Sequence, residues 1–265
     1  MYGTVKYRFN NHCHTSVSDG ELSPKNIADL LKGHPSLVLS VTDHLRIGAY
    51  DTLGDHPQIV PGIEVKVSEG NVDFLIHTET PGELENFYRE VIEPANPSKT
   101  MFGPIDMDAE HLLSEVEERG HTAVLAHYWA PEGLSALPPD RQRFLAKRFR
   151  PFVEYNGRMG RARNAEARRF ARKLHLPMVA GADSHLHDQH TDTFTSVRLP
   201  EGTPPTMRNL FEEIRKRKVQ FRLRNAGWVD TMRTVWKATK SVVQRFDGFN
   251  GLLHAIKTKN QRLDY

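Results

Sequence analysis

Along the first two hundred residues, short runs of β-branched and apolar side chains alternate with longer stretches in which apolar positions recur every three or four residues. The short runs predict strands at 5–11, 37–42, 59–67, 72–78, 123–127, 152–155 and 178–182. The longer stretches predict helices. One begins at Ser23-Pro24, with a serine N-cap and proline at the first helical position, and stops at Gly33. Others are predicted at 109–119, 140–148, 163–174 and 206–218. Alternating strands and helices predict an α/β protein with a largely parallel sheet, and seven strands are enough to close a barrel. Residues 80–106 break the alternation with proline- and glycine-rich turns, where a lid or substrate loop would sit. Beyond Gly227, Trp228, Met232, Val235, Trp236, Val243 and Phe246 can share one face of a helix over 228–246.

Composition narrows this picture. The 265 residues are 38% hydrophobic, enough to form a core, and the length suits one large domain. One cysteine excludes a disulfide framework and a cysteine-based zinc cluster. No apolar run approaches the roughly 20 residues of a membrane span. The first residues have no stretch of signal-peptide character, so a cytoplasmic protein is expected. The formal charge of +3 conceals a division. Residues 203–265 hold 14 Lys/Arg against 5 Asp/Glu, whereas residues 1–202 hold 22 against 28. The expected organisation is a catalytic unit over 1–220 and a basic helical extension over 221–265. The acidic body suits bound cations and the tail an anionic partner.

The fourteen histidines carry the chemistry. His12 and His14 flank Cys13, and side chains two apart on an extended chain share a face. Both imidazoles can therefore hold one cation while Cys13 packs on the other side. Asp19 lies just beyond the following turn, and His44, Glu64, His77, His127, Asp183 and His185 all fall at predicted strand ends. Polar groups delivered from several strand ends to one place are how an α/β barrel builds an active site. Imidazole with carboxylate suits manganese, zinc or iron better than calcium. His187 and His190 are expected on an exposed loop. Arg46, Arg158 and Arg161 are candidate substrate anchors by their position at the catalytic rim. Tyr128 and Trp129 are placed to stack on a ring.

As a set, His12-Cys-His14 with Ser18-Asp19-Gly20, Thr42-Asp-His44, Gly62-Ile-Glu64, His77, Ala126-His127 and Asp183-Ser-His185 resembles the polymerase and histidinol phosphatase (PHP) superfamily over roughly residues 6–220. The resemblance implies a distorted (β/α)7 barrel with a di- or trinuclear metal site that hydrolyses phosphoesters. It places one metal on His12, His14, Glu64 and Asp183, a second on Glu64, His77 and His127, and a third on Asp19, His44 and His185. Tyr128 stands where many members have proline.

The expected function is a metal-dependent phosphoesterase using two or three divalent ions (Mn, Zn or Fe) and metal-bound hydroxide. The substrate is expected to be a phosphorylated small molecule or a short nucleic acid, with a lean to nucleotides and oligonucleotides. The alternatives are a small-metabolite phosphatase of the histidinol-phosphatase type, a metal-assisted C–N hydrolase, and a non-catalytic metal-binding protein docked through its basic tail.

Overall fold

β1 (Thr4–Cys13) is the pivot of the molecule, pairing in parallel with β2 (Leu37–Val41) on one side. In a computed structural model, which describes residues 3–216 and 219–224 with Met232, Arg233 and Trp236, the chain forms a nine-stranded sheet of order β7-β6-β5-β4-β3-β2-β1-β8-β9. The remaining strands are β3 (Ile59–Lys66), β4 (Asp73–His77), β5 (Thr122–Leu125), β6 (Phe152–Asn156), β7 (Met178–Gly181), β8 (Phe194–Pro200) and β9 (Gln220–Arg222). The helices are α1 (Pro24–Lys32), α2 (Tyr50–Leu53), α3 (Pro81–Phe87), α4 (Glu93–Ala95), α5 (Ala109–Glu118), α6 (Pro139–Phe149), α7 (Arg161–Leu174) and α8 (Met207–Lys216). The capping at α1 follows the sequence: Ser23 accepts from Asn26 N, Pro24 opens the helix and Gly33 closes it.

The sheet curls into a nearly closed barrel. The first half of β1 is covered by antiparallel β8, whereas its last residue meets the segment just after β7 through a parallel bridge, Cys13 to Ser184. His14 N donates to Ser184 O at 2.9 Å and Ala182 N to the Asn10 side chain at 2.8 Å, which seals the upper seam. β8 and β9 are additions to the expected strands, and β9 carries the sheet two residues past the expected domain boundary.

One strand runs against the expected direction. β4 is antiparallel to both β3 and β5, with Gly62 opposite His77 and Lys66 opposite Asp73. Only six residues separate β3 from β4. A parallel crossover needs a dozen or more, so the connection can only be a hairpin. The consequence for the site is large. The start of β4, not its end, lies beside the ends of β3 and β5.

The interior is layered because alternate residues of each strand point inward. At the bottom, Phe9, Val38, Val60, Leu75, Val124, Phe152 and Val179 pack with α8, whose Phe211 ring lies 4.8 Å from Phe152 and 5.4 Å from Phe9. Above that apolar plug the inward positions become polar: Ser40, Glu64, Glu154, Asn156 and Asp183. A second core, including Ile27, Leu31, Leu39, Ile63, Phe74, Leu112 and Leu145, lies between the sheet and the outer helices. No helix among the described residues is long and apolar enough to cross a membrane. The expected helix over 228–246, and with it nearly all of the extension 221–265, lies outside the described residues.

Candidate metal centre

At the upper end of the barrel, β1 delivers two imidazoles to one point. His12 Nε2 and His14 Nε2 face each other at 3.0 Å, and Glu64 Oε2 is 3.4 Å from both. Two ring nitrogens and a carboxylate oxygen at such separations have no good mutual hydrogen-bonding arrangement, but they converge as ligands of one cation do. Asp183 Oδ1 joins them, 3.6 Å from His12 Nε2 and 3.4 Å from His14 Nε2. A second group gathers His14, Asp19, His44 and His185, with His185 Nε2 3.1 Å from Asp19 Oδ2. A third gathers Glu64, Asp73 and His127, where His127 Nε2 lies 3.1 Å from Glu64 Oε1. The three groups are contiguous because His14 and Glu64 each belong to two.

Of the nine residues expected from the sequence, eight meet here. His77 does not. The reversal of β4 carries it to the lower layer, where Nδ1 meets Ser40 Oγ at 2.9 Å and the ring lies 5.0 Å from that of Phe211. Asp73, at the opposite end of the same strand, takes the place beside Glu64 and His127, and its Oδ1 is buried without a hydrogen-bond partner. Such an orphaned acceptor is costly unless something binds it.

The supporting residues were not singled out in the sequence. Glu154 is fully buried at the centre of β6. It meets His12 Nδ1 at 2.9 Å with one oxygen and accepts from the His127 backbone N–H at 2.8 Å with the other. A carboxylate behind a ligating imidazole orients the ring and raises its basicity. Gly181 makes room for this pair, since a Cβ there would collide with Glu154 and His12. Asp43, also buried, accepts from Thr15 N and Thr15 Oγ1 at 2.7 Å each and from Ser18 Oγ, folding the turn that presents Asp19. A charged residue inside a buried strand, as at Glu154, is the sequence signal for such a role. His127 and Asp183 have positive φ, 28° and 48°, conformations that non-glycine residues adopt at a cost of about 1–3 kcal/mol and that cluster at functional sites.

Electrostatics follow from this crowding. Burial pulls the His12 imidazole down, but Glu154, Asp183 and Glu64 together hold it well above the usual histidine range. Burial and the neighbouring His185 and His44 lower His14. Against burial, Glu64 raises His127 to about 9 and Asp19 raises His185 to about 9. Burial, then Glu64, pushes Asp73 up to about 6. Against burial, His44 and His12 hold Glu64 well below the usual carboxylate range, and His12 does the same for Asp183. His12, His127 and His185 thus hold protons that a cation must displace to bind.

The expected substrate anchors are placed differently. Arg46 spends its donors on backbone carbonyls, Leu45 O at 2.8 Å, Lys99 O at 3.0 Å and Thr100 O at 3.4 Å. It fastens the irregular 96–103 loop, which places Phe102 edge-on to His44 at 5.3 Å. Arg158 is paired with Asp192 at 2.6 Å and donates to Ala182 O, and Arg161 is exposed at the start of α7. Tyr128 is buried and stacks on Phe170 rather than facing a ligand, while Trp129 is exposed. The cleft over the centre, about 240 Å³, is lined by His44, Glu64, Asp73, His127, Asp183 and His185 with Phe102, Glu132 and Lys66. Among the described residues Lys66 is the only lysine or arginine lining it, 3.5 Å from Asp73 Oδ2.

His190 corrects another expectation. It is fully buried, not on an exposed loop, with Nδ1 2.8 Å from Ser184 Oγ and Nε2 without a partner. Burial, then His185, lowers it to about 3. The unfolded chain takes up this proton near pH 6.5 and the folded chain only near 3, so folding stability contributed here falls as pH drops through that window. The stability difference between wild type and His190→Gln is expected to shrink by about 1.4 kcal/mol per pH unit below about 6.5. Urea unfolding at several pH values checks this, and a difference independent of pH between about 7 and 5 would contradict it.

Comparison with known proteins agrees with this architecture. A profile of the PHP-associated family matches residues 161–219, from α7 through α8. No curated protein matches the sequence. Among solved structures, PsfC from Pseudomonas syringae superposes with a TM-score of 0.61 at 18% identity, covering 89% of this chain and 98% of PsfC. A Bacteroides vulgatus two-domain protein containing a predicted PHP-like metal-dependent phosphoesterase superposes with a TM-score of 0.54 at 15% identity, covering 89% of this chain and 70% of its own. The lesion-specific endonuclease PfuEndoQ from Pyrococcus furiosus gives 0.59 at 17% identity, covering 82% of this chain and 58% of the endonuclease. The motif resemblance to the PHP superfamily and the barrel that it implied are borne out.

Proposed function

We propose that this PHP-superfamily barrel is a metal-dependent phosphoesterase that takes a nucleotide or the end of an oligonucleotide in the cleft above its ligand cluster. The observation that carries the reading is the sharing of His14 and Glu64 among three contiguous groups of His, Asp and Glu at the mouth of a barrel. The donor set fits manganese, zinc or iron, since imidazole nitrogen and carboxylate oxygen are mixed and no thiolate takes part. Cys13 is buried on the other side of β1, donating to Ser40 O. The orphaned Asp73 Oδ1 and His127 Nδ1 mark where satisfaction from outside the protein is wanted.

The residues that would hold the ions are His12, His14, Glu64 and Asp183 at one position, His14, Asp19, His44 and His185 at the next, and Glu64, Asp73 and His127 at the third. Divalent cations there supply Lewis acidity, acidifying a water and neutralising phosphoryl oxygens. The protein's own contribution is positional. Glu154 fixes the His12 ring and the His127 backbone together, so the first and third positions move as one. Asp43 holds the turn that brings Asp19 to His185. Phe102 and the loop pinned by Arg46 narrow the entrance beside His44.

Lys66 supplies the fixed cation that the three arginines do not. Lys66→Gln is expected to raise KM for a phosphoester about tenfold, with kcat within about threefold and metal content unchanged, since a charge-assisted hydrogen bond contributes about 1.5–3 kcal/mol. Lys66→Arg restores KM in steady-state assays. An unchanged KM would assign Lys66 to neutralising Asp73 alone.

The reading as a whole is tested by metal analysis and by a manganese-supplemented screen of nucleotides, short oligonucleotides, bisphosphates and sugar phosphates. At least two equivalents of transition metal and hydrolysis of one phosphoester class are expected. Less than one equivalent refutes the cluster, and two equivalents without hydrolysis of any class favours the non-catalytic metal-binding alternative. The catalytic unit is proposed to occupy 1–220, with 221–265 as a basic extension.

A further inference from the structure

Twelve of the chain's 36 lysines and arginines, but only three of its 33 aspartates and glutamates, lie within residues 139–174, the segment of α6, β6 and α7. Five of these cations are paired: Arg141 with Glu69 and Glu110, Arg143 with Asp140, Arg148 with Glu117, Arg158 with Asp192 and Arg169 with Glu166. The other seven are exposed and form no ion pair among the described residues; five of them, Arg161, Arg163, Arg168, Arg172 and Lys173, lie on α7. Such an accumulation of like charge repels itself, and a polyanion would relieve it.

The arrangement on α7 is linear. The helix buries Asn164, Ala167 and Ala171 against the barrel. At about 100° per residue, Arg161, Arg168 and Arg172 fall within roughly 40° of one another, along one edge and about 16 Å from first to last. Arg161 opens the helix five residues after Asn156, whose side-chain amide donates to Asp183 Oδ2 at 3.1 Å in the cluster. Leu174 ends it just before β7 begins at the other end of the barrel. The row therefore descends from the rim of the cleft down the outside of the molecule. No large apolar side chain of α7 is exposed, which a membrane-seated helix would require. Arginine, with its fork of donors, matches phosphate. Asp183, which Asn156 contacts, also lines the cleft of about 240 Å³, so the row begins beside the cluster.

We infer that α7 is a track for single-stranded nucleic acid, which places its terminal phosphoester in the cleft and its following phosphates along Arg161, Arg168 and Arg172. The occupant of the cleft rests on the phosphoesterase reading; the track rests on the charge and its alignment.

The test uses the full-length, metal-loaded protein and a fluorescent oligothymidylate of about 20 nucleotides. Affinity is measured by anisotropy between about 50 and 200 mM salt for wild type and for Arg161→Gln/Arg168→Gln/Arg172→Gln. The variant is expected to bind at least tenfold more weakly, and its salt dependence to flatten by about 2, because each lost phosphate contact on a single strand removes about 0.7 from the slope. The corresponding triple glutamate variant, checked for unchanged circular dichroism, should lose binding further. Hydrolysis of p-nitrophenyl phosphate or its bis-ester should stay within twofold in all three proteins. Equal affinity of wild type and both variants overturns the track. Wild-type binding to phosphatidylserine vesicles without binding to the oligonucleotide also overturns it, in favour of a membrane surface. Loss of oligonucleotide binding in the variants, with no phosphoester hydrolysed even by wild type, leaves the track standing and removes the phosphoesterase reading.

Discussion

Glu64→Gln is expected to lower phosphoester turnover roughly 10³-fold and to strip metal from the protein, because one carboxylate serves two of the three ligand groups. Its Oε2 lies 3.1 Å from His44 Nδ1 and 3.4 Å from both His12 and His14, while Oε1 lies 3.1 Å from His127. The substitution keeps shape and removes charge, so the loss reports the ligand role and not the packing. The magnitude corresponds to the several kcal/mol that metal-assisted charge stabilisation contributes, at about 1.4 kcal/mol per tenfold in rate. Metal content by mass spectrometry and steady-state kinetics are the measurements. Full metal occupancy with turnover within tenfold of wild type would remove Glu64 from the centre.

The second large effect separates two residues on the same strand. Asp73→Asn is expected to reduce turnover by about a hundredfold with partial loss of metal, as for removal of a ligand or its close support. His77→Gln is expected to leave turnover within about threefold. It should cost stability instead, about 1 kcal/mol for the hydrogen bond to Ser40. The motif resemblance alone places His77 among the ligands and gives Asp73 no role. Metal titration of both variants, with thermal unfolding alongside, distinguishes the two. A metal-depleted His77→Gln protein beside a fully active Asp73→Asn protein would mean that β4 runs parallel to its neighbours. The register of Glu64 opposite Leu75 and Ile63 opposite Ile76 excludes this in the folded barrel.

The other supporting residues show why a chain read in one dimension sees ligands more easily than the groups behind them. His12 and His14 are legible because residues two apart on a strand share a face and other strand ends carry matching histidines and carboxylates. Glu154 sits in a short run, Phe152-Val-Glu-Tyr-Asn, that reads as an ordinary strand. Only closure of the sheet reveals that its two oxygens address β1 and the end of β5 together. Arg46, Arg158 and Arg161 show the converse. Each lies near the rim in sequence, but whether a guanidinium reaches a ligand depends on which carbonyls and carboxylates reach it first. Leu45, Lys99 and Thr100 take the first, Ala182 and Asp192 take the second, and the third faces outward.

The sequence by itself determined the seven barrel strands, the five longer helices, the apolar faces that bury them, and eight of the metal-ligand candidates. These are consequences of local periodicity, caps and residue chemistry, which act over a few neighbours. The tertiary structure alone decided what depends on direction and closure. It set the approach of the segment just after β7 to β1 at Cys13 and Ser184, the covering of β1 by β8, and the burial of His190 behind the site. It also exchanged His77 for Asp73. The hydrophobic pattern of a strand is the same read from either end, so periodicity could locate β4 but not orient it. The six residues joining it to β3 were too few for a crossover, and that constraint placed its aspartate among the ligands and its histidine against the apolar plug.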